Sequence, residues 1–187
     1  MSGAHGHGHG HGHDDPSNRK IALLIAVLAL ILAFSETLGK SAQTAALSFN
    51  IEASNLWAFF QAKTIRQTVL RTAAEELAVA ADGEKAKKQI EKWRETAQRY
   101  QNEPDTGEGR DQLMARAKEA EKKRDRSMAA YHHFELASAA VQIAIVLASA
   151  SIIAGVAALV WIAGGLGVVG ILFCVIGFFF PNAVHFV

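Results

Sequence analysis

Apolar residues along the chain are concentrated in three runs, and charged residues fill the interval between the first run and the second. The apolar runs are Ile21–Phe34, Leu136–Ile162 and Leu166–Phe180, and the charges concentrate from Lys63 to Glu135. A helix needs about 20 apolar residues to cross a bilayer. The pattern predicts an all-α membrane protein with three transmembrane helices, one N-terminal and two in a C-terminal membrane hairpin, with a helical, coiled-coil-like extramembrane insertion.

Charge and turn signals set the boundaries of the predicted segments. Asp82-Gly83 ends one apolar series, and the next series starts in a different phase, which indicates a hinge. Ala163-Gly164-Gly165 predicts a tight turn between two spans that each carry a face of small residues. The segments are a disordered His/Gly tail (1–18), transmembrane helix 1 (19–40), a long amphipathic helix rich in small residues (41–82), a charged αα-hairpin (83–135), transmembrane helix 2 (136–162) and transmembrane helix 3 (166–186).

The limbs of the insertion differ in length. If straight, the outgoing limb Gly39–Glu103 is about 95 Å long, whereas the returning limb Asp105–Glu135 is about 45 Å long. Both limbs must begin and end at one membrane face. The outgoing limb therefore lies along the membrane, folds back at Gly83, or partly enters the bilayer.

The helix predicted over Ser41–Thr72 carries an apolar face that requires a partner. In the expected hairpin, Ala86–Tyr100 pairs with Leu113–Phe134, and the membrane hairpin uses its own small-residue faces. Because too few helices then remain within one chain to cover the apolar face of Ser41–Thr72, we expect a homo-oligomer. The predicted oligomer interface consists of Phe49, Ala53, Leu56, Trp57 and Phe60.

A stripe of amide and hydroxyl side chains lies beside this face. It comprises Gln43, Asn50, Ser54 and Gln61, with Glu52 or Glu36 at its mouth. In a scaffold, these groups form interhelical hydrogen bonds and exclude water. In a homo-oligomeric channel or transport subunit, which is the first alternative function, they line a polar path.

Five histidines alternate with glycine in the N-terminal tail: His5, His7, His9, His11 and His13. Imidazole binds nickel, zinc and copper, and flexible glycines let several rings converge on one ion. A metal-binding membrane protein acting through this tail is the second alternative function. A solvated low-complexity tail with incidental metal affinity, or a purification tag, explains the same residues.

Composition narrows the function classes further. The 187 residues include 19 Lys and Arg and 18 Asp and Glu, so the net charge of +1 gives no general case for nucleic-acid binding. The single cysteine, Cys174, allows no intrachain disulfide. No phosphate loop or nucleophile–base cluster occurs, so we expect no enzymatic activity and identify no small-molecule substrate. The chain is predicted to be a non-enzymatic, self-associating, scaffold-like membrane protein whose partners are lipid and further copies.

Three motifs resemble a bacterial membrane-protein family described as a domain of unknown function. They are Glu36-Thr-Leu-Gly-Lys40, Glu52-Ala-Ser-Asn-Leu-Trp57, and Gln61-Ala-Lys63 followed by Ile65-Arg66-Gln67-Thr68. The resemblance covers roughly residues 35–180. It implies that the protein lies in a bacterial inner membrane, and it implies no particular activity or catalytic residue.

Basic residues give an expected orientation. Arg19 and Lys20 precede the first span, which we expect to remain as an uncleaved anchor, and they favour a cytoplasmic N-terminus. The basic cluster Lys122–Arg126 favours the opposite orientation, but the positive-inside rule weakens for loops beyond about 60 residues. We therefore expect a multi-pass inner-membrane protein with a periplasmic insertion.

Overall fold

The computed structural model describes residues 16–183, which form four α-helices and no β-strand. The helices are α1 (Pro16–Ala80), α2 (Glu84–Gln101), α3 (Arg110–Ala154) and α4 (Ala157–Phe179). Within the described residues, α1, α3 and α4 are long and apolar enough to cross a membrane. The prediction of an all-α protein with three candidate spans is confirmed. The histidine tail and the last residues of the predicted third span lie outside the described residues.

The chain forms two compact units, and α1 and α3 contribute residues to both. The membrane unit comprises the described residues through Gly39 together with His132–Phe180. The polar unit comprises Lys40–Tyr131 with the described residues after Phe180. The charged residues from Lys63 to Arg126 fall in the polar unit, whereas Glu135 and the three apolar runs fall in the membrane unit.

Small residues let the helices of the membrane unit pack closely. The buried core includes Ile21, Leu28, Val141, Ala144, Ala148 and Ala163. A Cβ placed on Gly170 would lie 2.5 Å from Cγ2 of Val141, and one on Gly167 would lie 2.6 Å from Cδ2 of Leu28. Any side chain at these two positions would therefore require a neighbour to move. Glycine at these positions permits the close approach of α4 to its neighbours.

The turn predicted at Ala163-Gly164-Gly165 is wrong, because α4 runs through these residues. The break lies at Gly155, which has a φ of +67° and donates its N–H to the carbonyl of Ser151 at 2.9 Å. Glycine adopts this left-handed conformation without steric cost and commonly ends helices there. Because the chain breaks at Gly155, the helix α4 contains 23 residues and is about 35 Å long. A helix over residues 166–180 would be only about 22 Å long, which is short for a membrane span.

In the polar unit, α2 and α3 both pack against α1. Ala53 and Leu56 of α1 share a buried cluster with the α3 residues Leu113, Ala117 and Ala120. Farther along α1, the side chain of Gln67 donates a hydrogen bond to the carbonyl of Ala97 in α2. The predicted pairing of α2 with α3 as a hairpin is therefore wrong.

Helix lengths explain this arrangement. The part of α1 from Lys40 to Ala80 is about 61 Å long. The helix α2 is about 27 Å long, and the part of α3 up to Tyr131 is about 33 Å long. Placed one after the other, they match α1 in length. A hairpin of α2 on α3 would instead leave much of α1 uncovered. The sequence left three alternatives for the outgoing limb, and the structure has the one in which the chain folds back, which it does after Ala80.

Candidate functional site

The inward face of α1 in the polar unit follows an uninterrupted alternation of three- and four-residue steps. Its positions, called the buried seam here, are Ala46, Phe49, Ala53, Leu56, Phe60, Lys63, Gln67, Leu70, Ala74 and Leu77. This spacing keeps one narrow face of a helix toward its partners. Two members are polar, yet Lys63 is only 5% exposed and Gln67 only 2%. Buried polar side chains require hydrogen-bond partners, which makes their surroundings the candidate site.

The amide of Gln67 joins all three helices of the polar unit. Its Nε2 donates to the carbonyl of Ala97 at 2.9 Å and to Oε1 of Gln101 at 3.2 Å. Its Oε1 accepts from Nη1 of Arg110 at 2.5 Å, and the same nitrogen donates to Gln101 at 2.9 Å. The guanidinium carbon of Arg110 also lies 4.9 Å from the centre of the Phe60 ring. We call this network, together with Lys63 and Glu103, the polar joint.

Lys63 completes the polar joint with a largely buried ion pair. Its Nζ lies 3.1 Å from Oε2 of Glu103 and 3.9 Å from Oε2 of Glu108. The ammonium also lies 5.3 Å from the ring centre of Phe59 and 5.7 Å from that of Tyr100. A carboxylate and two aromatic faces thus compensate for the loss of water around the charge.

The pKa of the Glu103 carboxyl is lowered from its ordinary value of 4.5, chiefly because Lys63 donates a hydrogen bond to it. The charge of Lys63, a hydrogen bond from Thr106 and the charge of Arg99 act in the same direction, while burial opposes them. The carboxylate therefore stays ionised at neutral pH, and the ion pair with Lys63 persists there.

Acid is expected to weaken the polar joint. Because the pKa of Glu103 is lower in the folded protein than in the unfolded chain, its stabilising contribution is present above about pH 4.5 and is lost as the pH falls through the lower folded value. Thermal unfolding in detergent between pH 7 and pH 3 measures the effect. Glu103→Gln should show a shallower decline, and Glu95→Gln, a substitution at an exposed position of α2, should behave like the unsubstituted protein. An equal decline in Glu103→Gln would refute this contribution.

The polar joint is built to hold helices together. Its donors and acceptors bond chiefly to one another, and they fix the register of α2 and α3 on α1. The motif residues quoted above take part in these contacts: Lys63 and Gln67 belong to the joint, and Nε1 of Trp57 donates to Oε1 of Glu121 at 2.8 Å. The motifs of the resemblance therefore include residues through which α1 holds its neighbours.

The predicted oligomer interface is covered within the chain. Ala53 and Leu56 are buried against α3, and Trp57 and Phe60 pack partly buried against the same cluster. The ring centre of Phe49 lies 5.9 Å from Nζ of Lys123. The premise that this face lacks partners in a single chain is wrong, although self-association itself stays a prediction.

The polar stripe faces outward from the bundle. Gln43 and Asn50 line a groove of about 540 Å³, where Nη1 of Arg124 donates to Oδ1 of Asn50 at 3.4 Å. Ser54 and Gln61 are exposed. Four of the six predicted path residues thus lie along the outer side of α1.

The two predicted mouth residues lie elsewhere. Glu52 lines a different groove, of about 460 Å³, together with Arg116. Glu36 belongs to the membrane unit, where its Oε1 accepts a hydrogen bond from Gln142 at 3.2 Å. The structure does not bring the six residues together, so its geometry gives the channel alternative no specific support.

The predicted metal ligands belong to the N-terminal tail. His5, His7, His9, His11 and His13 all lie outside the described residues. Among residues 17–183, no group of three or more His, Cys, Asp or Glu side chains could hold a metal ion. Nickel, zinc or copper binding by the tail stays a prediction.

A second apolar face of α1 is exposed in the polar unit. Its members, called the exposed stripe here, are Leu47, Ile51, Ser54, Ala58, Ala62, Ile65 and Val69. The four large aliphatic side chains, Leu47, Ile51, Ile65 and Val69, are 53–64% exposed. The stripe was missed in the sequence because α1 carries apolar residues on both faces. Its spacing in steps of four, three, four, four, three and four was the available signal.

Comparison with known proteins yields one family. A family model described as "Domain of unknown function (DUF4337)" matches residues 17–180, which span parts of both units. The match confirms the resemblance indicated by the three motifs. No curated protein and no solved structure matches the chain.

Proposed function

Because this chain belongs to the family described as a domain of unknown function (DUF4337), we propose its function from its own geometry: a non-enzymatic, self-associating integral membrane protein with a scaffold-like, organising role. The observation that carries the proposal is the exposed stripe. The stripe provides the polar unit with a surface for a lateral partner, on the opposite side from the face indicated by the sequence.

The energetic argument rests on the large residues of the stripe. Fully burying an aliphatic side chain of this size contributes about 1.5–3 kcal/mol. Leu47, Ile51, Ile65 and Val69 lie along one line, and the first and last are about 33 Å apart along the helix. Contiguous apolar surface on a water-facing helix marks interaction sites. A partner that covers this line therefore gains far more than one that covers a single exposed residue.

We further propose that the protein lies in the bacterial inner membrane with a cytoplasmic N-terminus. Three helices of suitable length and composition support a multi-pass protein. Lys20 and Trp161 line one groove of about 510 Å³ in the membrane unit. Basic and tryptophan side chains both favour the headgroup region, and basic residues favour the cytoplasmic side. This supports a cytoplasmic headgroup position for that end of the membrane unit.

Disrupting the exposed stripe is expected to dissociate the protein. The double variant Ile51→Ser, Ile65→Ser should shift the full-length protein in detergent toward monomer, with at least a tenfold rise in dissociation constant, because two apolar contacts per copy are lost. Light scattering over a concentration series measures this shift. Val79→Ser, at a 92% exposed position beyond the stripe, is the matched control and should leave the mass unchanged.

Folding must be unaffected for this test to report on assembly. Exposed substitutions normally change stability by less than about 0.5 kcal/mol, so the circular dichroism of all variants should agree. A monomeric unsubstituted protein at tens of micromolar would refute self-association. An undiminished oligomer in the double variant would refute the role of the exposed stripe.

A further inference from the structure

We propose that the exposed stripe pairs two copies of this chain in parallel and in register, so that each residue of the stripe meets the same residue of the other copy. This inference rests on the self-association proposed above, and it adds the partner, the direction and the register of the contact. The occupant of the stripe is the polar-unit part of a second α1. The two-fold axis runs between the two helices, along their length.

The membrane sets the direction of pairing. The single helix α1 runs from Pro16, which belongs to the membrane unit, to Ala80, which belongs to the polar unit. Copies that are inserted in one membrane with the same orientation therefore carry their stripes in the same direction. A two-fold axis parallel to the helices relates two such copies, and it sets identical residues opposite each other.

The distribution of charge permits identical residues to meet along the stripe. Like charges opposite one another repel, and no member of the stripe from Leu47 to Val69 is charged. The nearest charges on the same line of α1 are Lys40, about two turns before Leu47, and Glu76, about two turns after Val69. Each of these would repel its counterpart in a parallel pair. The contact is therefore confined to the stripe between them.

Small residues let the two helices approach closely at the centre of the contact. Ser54, Ala58 and Ala62 follow one another in steps of four. Side chains at this spacing form one ridge on a helix, and the distance between packed helices depends on the size of such side chains. The four large aliphatic members of the stripe lie two on each side of this ridge. Aliphatic pairs therefore close the contact at both ends.

Polar side chains on the two borders of the stripe fit the parallel register. Asn50 and Gln61 lie on one border, Asn55 and Arg66 lie on the other, and all four are exposed. Parallel helices bring opposite borders together, so a residue of one copy lies near the residue about five positions later in the other. Asn50 then meets Asn55 of the other copy, and Gln61 meets Arg66.

Each border pair joins a donor to an acceptor. Oδ1 of Asn50 accepts a hydrogen bond from Arg124 at 3.4 Å, and its Nδ2 can donate to the side-chain oxygen of Asn55 in the other copy. The guanidinium of Arg66 can donate to Oε1 of Gln61 in the same way. Neither pair joins like charges, and the two-fold axis forms each pair twice.

The surroundings of the stripe favour a second copy over a lipid surface. Gln67 bonds to residues of both α2 and α3 and stands nine residues after Ala58, about two and a half turns, on the opposite side of α1. A second copy can therefore reach the stripe without displacing either helix. Interfacial helices carry Lys and Arg along the polar face, whereas no basic residue occurs between Lys40 and Lys63.

The contact is modest in area, and the membrane compensates for this. From Leu47 to Val69 the helix is about 33 Å long and about 10 Å wide, so the pair buries on the order of 700 Å² in total. A stable interface in solution is expected to bury about 1,000 Å² or more. Anchoring both copies in one membrane raises their effective concentration and lowers the entropic cost of association. We therefore expect a reversible pair.

Cysteine cross-linking of the full-length protein tests the direction and the register. All variants carry Cys174→Ala, and copies with two different tags are mixed in detergent, where they approach in either direction. Ile51→Cys should form a disulfide with itself, and so should Ile65→Cys. Mixing these two variants should give no mixed product, because in-register pairing holds the two positions about 21 Å apart along the axis, and a disulfide requires Cα atoms within about 7 Å. Glu52→Cys, an exposed position on another side of α1, is the matched control and should not cross-link.

A charge exchange at one position provides a second readout. Ile51→Glu and Ile51→Lys should each raise the dissociation constant at least about tenfold, because each sets like charges opposite one another. A one-to-one mixture of the two variants should form a mixed pair that is at least about tenfold tighter than either variant with itself, because glutamate then meets lysine. Light scattering with tagged copies measures both effects.

The outcomes separate the register from self-association. An oligomer in which Ile51→Cys does not cross-link to itself would overturn the parallel register while leaving self-association intact. A monomer without any cross-link would overturn both proposals. In liposomes that hold one copy each, protection of Ile51→Cys from a water-soluble maleimide would assign the stripe to lipid and overturn the inference.

Discussion

Replacing Gln67 with leucine is expected to destabilise the polar unit by about 3 kcal/mol or more. Leucine is close to glutamine in size but can neither donate to the carbonyl of Ala97 nor accept from Arg110. Each group left unpaired in a buried position costs about 1–3 kcal/mol. Because Gln67 bonds to residues of both α2 and α3, the substitution weakens the hold of α1 on both helices.

Hydrogen exchange can localise this effect. Amides of α2 should exchange much faster in Gln67→Leu, since α2 depends on the polar joint for its attachment to α1. Thr68→Leu is the matched control, because Thr68 is the adjacent residue and is exposed. Gln67→Glu retains an acceptor for Arg110 but loses the donor to Ala97, so it should fall between the two. Equal protection of α2 in Gln67→Leu and Thr68→Leu would refute the role of the joint.

The two faces of α1 show how far the polar unit can be predicted from the sequence. The need of α1 for a helical partner follows from its pattern. Which face α3 covers does not follow, because the buried seam and the exposed stripe have similar spacing. The predicted face ends at Phe60, and the next two positions at the same spacing, Lys63 and Gln67, are polar. They continue the same seam. The partners of Gln67 come from α2 and α3, and that of Lys63, Glu103, comes from the connection between them, all distant in sequence.

The polar joint illustrates a related limit. Polar residues at regular core positions can be recognised from the three-and-four spacing alone, and this is a signal of a buried network. Their partners cannot be recognised in that way. Glu103 lies in the connection between α2 and α3, and Arg110 is the first residue of α3; both meet α1 only because the chain folds back after Ala80.

In the membrane unit, composition predicted the spans and the small-residue faces, but it misplaced the break. Two adjacent glycines are a stronger turn signal in water-soluble chains than one. In a bilayer, backbone groups need internal hydrogen bonds and a span needs enough length. These requirements keep Gly164 and Gly165 inside α4 and move the break to Gly155, which alone among the three has a positive φ.

Gly170→Ala is expected to force α3 and α4 apart and to cost about 2 kcal/mol or more. The added Cβ would lie 2.5 Å from Cγ2 of Val141 and 3.2 Å from the carbonyl oxygen of Ala137. Valine is restricted in its rotamers on a helix, and a backbone oxygen moves only with its helix. Overpacking of this kind typically costs 1–3 kcal/mol.

Two other glycines of α4 provide graded controls. Gly167→Ala should cost less, since its Cβ meets only the flexible end of Leu28. Gly165→Ala has no neighbour within 4 Å and should be neutral or stabilising, because alanine favours helix over glycine by about 1 kcal/mol. Unfolding of the three variants in micelles, by titration with dodecyl sulfate, measures their order of stability.

Val141→Ala provides a further test, because it removes the methyl group that clashes with the added Cβ. It should recover part of the stability lost in Gly170→Ala, and a double-mutant cycle isolates that coupling. If Gly170→Ala and Gly165→Ala unfold at the same detergent fraction, α3 and α4 do not pack through Gly170.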